Sequence, residues 1–119
     1  MNNENKPQGT HILLDLLGCD RKKLNDIKYL IDIGKISAKK TLCEPTGFRY
    51  QKTEPTGISL IIIMQRSHIA IHTHPEYEMA LIDIYTNGKD KKPLEAVTFI
   101  KKELGAKINF KRIIRRGIP

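Results

Sequence analysis

The chain has 119 residues, a formal net charge of +8, 39% hydrophobic and 6% aromatic residues, and no Trp. That length fits one compact domain with a poor surface-to-volume ratio, which the pairing of two copies would relieve. The longest apolar run, "ISLIIIM" (Ile58–Met64), is far too short to span a bilayer, and the first ten residues carry no apolar stretch behind a basic start, so no membrane span and no signal peptide are expected. The basic residues cluster in "DRKK", "SAKK", "GKDKK" and "FKRIIRRG" without the interleaved aromatics of a base-stacking platform. A solvated basic surface is therefore expected, with no nucleic-acid partner. Cys19 and Cys43 form neither a CxxC pair nor a zinc framework, and both read as free thiols of a cytoplasmic protein.

Residues 1–9 are expected to be a flexible tail, and residues 10–119 a single domain. "THILLDLLG" (Thr10–Gly18) reads as a buried strand, although its Leu content leaves a helix open. Asp20 can cap a helix in which Leu24, Ile27, Leu30 and Ile31 make one apolar stripe, and Gly34 weakens its end. "GFRYQKT" reads as a strand and "EPTG" as a turn. "ISLIIIM" is the strongest strand, "QRSH" interrupts it as a hairpin turn would, and "IAIHTH" resumes the alternation until Pro75 closes it. "EMALIDIYT" is the next strand, and "NGKD" its turn. Pro93 then opens a helix with Leu94, Val97, Ile100, Lys101 and Leu104 on one side and Gly105 at its stop, before "AKINFKRIIRR" closes the chain as a strand. The order β-α-β-β-β-β-α-β predicts an α+β, two-layer sandwich: an antiparallel sheet with two helices packed on one face.

The segment "MQRSHIAIHTHPEYE" (Met64–Glu78) holds three histidines, a serine and two glutamates. On one continuous strand His68, His72 and His74 share a face and, with Glu76 or Glu78, have the donor types of a zinc or iron site. A bend at "QRSH" would take His68 off that face. The plain alternative is a polar hairpin with solvated histidines, since a Ser beside a His is weak evidence of nucleophilic catalysis and no Gly-x-Ser-x-Gly elbow is present.

"RSHIAIHTHPE" (Arg66–Glu76) resembles the Glu-Ser-His-x-x-x-His-Thr-Trp-Pro-Glu stretch of the prokaryotic S-adenosylmethionine decarboxylases, pyruvoyl-dependent enzymes of polyamine synthesis. "GTHILLDLLGCD", "EPTGIS", "MALIDIYTNG" and "KRIIRRG" resemble other parts of the same pattern, from about Gly9 to the end. The resemblance implies that the chain is a proenzyme that cuts itself between Arg66 and Ser67, giving chains 1–66 and 67–119. The Ser67 hydroxyl would attack the Arg66 carbonyl, the peptide becoming an ester that eliminates. The serine remnant would then lose ammonia to become a pyruvoyl group, which holds substrate as a Schiff base and acts as an electron sink. Ser59 matches a processing hydroxyl, His72 a processing proton shuttle and Glu76 a substrate-binding carboxylate. A homodimer with its sites where two copies meet is implied as well.

Four positions depart from the pattern. Arg66 replaces a Glu and alters the charge beside the cleavage point. His74 replaces a Trp, and Thr53 an aromatic, so a flat face for the adenine of the substrate is missing there. Asn87 replaces the cysteine that donates a proton during decarboxylation, and an amide is no acid at neutral pH. Neither Cys19 nor Cys43 matches that place in sequence, which leaves His72, water or a different reaction. The alternatives are a pyruvoyl-dependent arginine or ornithine decarboxylase on the same fold, and a catalytically degenerate binding or regulatory subunit.

Overall fold

A computed structural model describes residues 6–119. The expected tail falls partly outside that range (residues 1–5), and its last two residues are already in a strand. Strand β1 runs over Gln8–Leu17, and the short helix α1 (Arg21–Leu24) and helix α2 (Ile27–Lys40) follow. Strands β2 (Pro45–Lys52), β3 (Ile58–Met64), β4 (Ser67–His74) and β5 (Met79–Asn87) come next, with a 3-10 turn at Pro75–Tyr77. Helix α3 (Pro93–Leu104) and strand β6 (Ile108–Gly117) complete the chain.

The six strands form one antiparallel sheet in the order β2-β3-β4-β5-β1-β6. Alternation along the strands sends Ile12, Leu14, Leu16, Leu60, Ile62, Ile69, Ile71, Ile82 and Ile84 to one face, where they are buried against α2 and α3. Leu30 and Ile33 of α2 and Val97, Ile100 and Leu104 of α3 fill the other side of this core. The α+β sandwich read from the sequence is the architecture found.

Two local expectations change. The helix expected from Asp20 is two helices. Asp20 caps α1 by accepting from the Lys22 and Lys23 N–H groups, and Asp26 caps α2 anew by accepting from Tyr29 N–H. Two good capping residues six apart each begin a helix, so the apolar stripe is split at Asn25. Gly34 does not weaken an end: α2 continues for six more residues to Lys40. A side chain at Gly34 would put its Cβ 2.9 Å from Ile62 Cγ1, so glycine lets α2 lie close on β3.

The opposite face of the sheet carries no helix. Ile61 and Ile63 on β3 and Ile108, Phe110 and Ile114 on β6 are exposed there, 37–63% accessible, as two apolar patches with β4, β5 and β1 between them. Some of the positive charge has a structural use as well: β6 is an edge strand, and Lys111, Arg112, Arg115 and Arg116 along it discourage further strands from pairing.

Gly34→Val should overfill the α2–β3 contact and lower stability by about 1–3 kcal/mol. Urea denaturation of the variant beside the parent checks this, and an unchanged midpoint would mean that the two elements do not need such close approach.

Candidate active site

The β3–β4 hairpin is closed by only two residues, Gln65 and Arg66, because Met64 and Ser67 are already paired. Ser67 and His68 thus belong to the strand, not to the turn expected at "QRSH". Arg66 has φ +54°, in the left-handed region that a side chain with a Cβ tolerates poorly, at a cost of about 1–3 kcal/mol. The peptide bond after it leads straight to Ser67, which is buried. The Ser67 hydroxyl accepts a hydrogen bond from the Asn87 backbone N–H at 3.0 Å. Arg66, Ser67 and Asn87, three of the residues singled out in the sequence, therefore meet at one end of the sheet.

A fourth residue joins them that sequence matching had set aside. Cys43 is buried, and its Sγ lies 3.9 Å from Ser67 Oγ. It arrives from the corner between α2 and β2. Leu42 turns the chain with φ +73°, Cys43 N–H bonds back to the Ala38 carbonyl, and Pro45 pairs with Met64 beside the hairpin tip. The corner is tied to the loop after β5 by Lys92 N–H donating to the Thr41 carbonyl and Lys91 Nζ to the Leu42 carbonyl. A cavity of about 440 Å³ opens here, with Cys43, Arg66 and Asn87 in its wall. Only the β2–β3 register could have pointed to Cys43, by setting Pro45 opposite Met64.

The other expected site residues lie at the far end of the hairpin. Ser59 and His72 are opposite one another, with Ser59 Oγ 2.9 Å from His72 Nδ1. Glu76 accepts from the Thr56 hydroxyl at 2.8 Å and lies 3.8 Å from His74. Its carboxyl is held below the usual glutamate range, chiefly by its own backbone N–H, then by Thr56 and His74. Thr53 is exposed in the β2–β3 turn, its N–H donating to the Gly57 carbonyl. From Ser67 to His72 is five strand positions, about 16 Å at about 3.3 Å each. One chain does not bring its proposed proton shuttle to its proposed cleavage point.

The turn at Gln65–Arg66 keeps His68 on the face of His72 and His74, contrary to the bend considered from the sequence. The three still face different neighbours. His68 packs at 6.0 Å from the Tyr85 ring and 6.3 Å from His11, His72 meets Ser59, and His74 lies near Glu76. Among the described residues no group of three His, Cys, Asp or Glu side chains is placed to hold a metal ion. Burial, and then His11 nearby, lower the His68 pKa below its ordinary value, against the pull of Asp83. Cys19 and Cys43 are both free thiols, and burial pushes the Cys19 thiol up to about 11. Among the described residues no helix is long and apolar enough to cross a membrane.

The family model described as S-adenosylmethionine decarboxylase matches residues 10–117. The S-adenosylmethionine decarboxylase proenzyme of Carboxydothermus hydrogenoformans is 34% identical over 92% of this chain and 87% of its own length. The proenzyme of Clostridium tetani is 36% identical over the same shares. Among solved structures, the adenosylmethionine decarboxylase from Aquifex aeolicus VF5 superposes with a TM-score of 0.87 at 31% identity, covering 96% of this chain and 94% of that one. A match across the whole sheet and both long helices, in sequence and in shape, leaves one conclusion: the chain belongs to the S-adenosylmethionine decarboxylase family.

Proposed function

We propose that this chain is a pyruvoyl-dependent S-adenosylmethionine decarboxylase of the cytoplasm, made as a proenzyme that cleaves itself between Arg66 and Ser67 and works as a homodimer. Its product would be the aminopropyl donor for spermidine. The observation that carries this reading is the hairpin tip. The Arg66–Ser67 bond follows a residue held at φ +54°, and the Ser67 hydroxyl is buried and pinned at 3.0 Å by Asn87 N–H. A strained bond beside a fixed hydroxyl suits an attack in which the Ser67 Oγ–C bond forms as the Arg66–Ser67 C–N bond breaks. Once formed, the pyruvoyl group supplies a carbonyl that captures the substrate amine and accepts the electrons left by departing CO2.

The remaining residues take roles in binding and proton handling. His72, hydrogen-bonded to Ser59, takes the role of moving a proton during processing. Glu76, with its lowered pKa, stays ionised and can hold the hydroxyls or the cationic centre of the substrate, with His74 and Thr53 at the rim of that region. The ~16 Å between His72 and Ser67 is bridged if two copies pair through their helix-free sheet faces about a two-fold axis. The partner subunit would then bring its His72 end to the Ser67 end of this chain. The exposed apolar side chains of Ile61 and Ile63 on β3 and of Phe110 and Ile114 on β6 would give such a pairing its driving force. Arginine or ornithine as substrate is not favoured, because the match to S-adenosylmethionine decarboxylases extends across residues 10–117.

Mass spectrometry of purified protein should find two fragments, 1–66 and 67–119. Ser67→Ala should give the single intact chain, and an uncut parent after prolonged incubation would end this reading. Shared sites can be tested by co-expressing Ser67→Ala with His72→Ala, neither of which should cleave alone. In mixed dimers the His72→Ala chain should be cut, because its intact Ser67 meets the intact His72 of the other subunit. Absence of any cut in verified mixed dimers would place processing within one chain.

A further inference from the structure

Decarboxylation needs a group that returns a proton to the carbon that has lost CO2, and Asn87 cannot be that group. The surroundings of Ser67 narrow the choice. Glu44 and Asp90 line the cavity, but the Ser67 hydroxyl is met by Cys43 Sγ and the Asn87 N–H. Lys91 Nζ is engaged by the Leu42 carbonyl and by Asp90. His72 of the same chain is five strand positions away, and the partner's His72 is held by Ser59 at 2.9 Å in its processing role. Cys43 remains: a free thiol, 6% exposed, with its sulfur 3.9 Å from Ser67 Oγ and in the wall of the same cavity as Asn87.

We propose that Cys43 is the catalytic acid of this chain, its thiol having taken over from a different element the task that Asn87 cannot perform. This rests on the function proposed above. The balance is simple. CO2 leaves without the bonding electron pair, that pair ends in a new C–H bond, the proton comes from Cys43 Sγ, and water reprotonates the thiolate. No oxidant or reductant enters. The geometry supports such a swap. The α2–β2 corner and the end of β5 flank the hairpin tip, so a thiol presented from the corner reaches the Ser67 position as the Asn87 backbone does from β5. In the uncleaved chain Asn87 contacts Ser67 through its backbone N–H, independently of its side chain.

The test uses full-length parent, Cys43→Ala, Cys43→Ser and the double variant Cys43→Ala with Asn87→Cys. Intact mass first establishes cleavage. An uncut parent overturns the function and with it this proposal. If the parent and single variants are cut, CO2 release from labelled S-adenosylmethionine should fall about 100-fold or more in both single variants. It should recover about tenfold or more when Asn87→Cys is added. A second readout does not depend on turnover: mapping of iodoacetamide adducts in the processed parent should find Cys43 modified and S-adenosylmethionine protecting it. Cys19, with its thiol pushed up to about 11, is the internal control and should react little in either case. Variants that are cut and still release CO2 within about threefold of parent overturn the role of Cys43 while leaving the function intact. Should the variants fail to fold, the parent decides: protection of Cys43 upholds the proposal, and its absence overturns it.

Discussion

The hydrogen bond from Asn87 N–H to the Ser67 hydroxyl is the contact on which the rest depends. It joins the first residue of β4 to the last of β5 and fixes the one hydroxyl placed directly after a left-handed residue. Both partners lie on the rigid sheet rather than in a loop, so the hydroxyl is positioned by the strand ladders. The core beneath supports this: Ile69, Ile71, Ile82 and Ile84 lock β4 and β5 in register, and a slip of one residue would turn Ser67 to the other face.

The site is divided between the two ends of one hairpin. Ser67, Arg66, Asn87 and Cys43 gather at the tip, and Ser59, His72, His74 and Glu76 at the far end. A single layer of sheet with helices on one side cannot fold back to join these groups, because strands of seven or eight residues are stiff and straight over that distance. The helix-free face offers the remedy. Its exposed isoleucines and phenylalanine would be costly to leave in water. In the proposed homodimer, burying that face against a second copy would serve both stability and assembly of the site.

Much of the fold was legible because burial leaves a periodic mark. The β-branched richness of "ISLIIIM", the alternation in "IAIHTH" and the helical spacing of Val97, Ile100 and Leu104 each gave the right element. The break at Asn25 was missed because a stripe of apolar residues continues across two short helices, and only the second cap at Asp26 marks the boundary. Gly34 was misread because propensity speaks of the isolated helix, whereas its role is contact with Ile62 across the layer. The turn was placed too far along because Ser67 and His68 are polar, yet the ladder to Met64 and Ile63 already includes them.

The sequence by itself determined the class of fold and the family, and singled out Ser67 as the serine proposed to be processed, since these rest on local periodicity and on motifs contiguous in the chain. The tertiary structure alone decided which of these residues meet. It set Cys43 beside Ser67 across 24 positions and kept His72 away from Ser67 although only five separate them. The reason is geometric: an extended strand carries near neighbours in sequence far apart, while a corner between layers brings distant ones into contact.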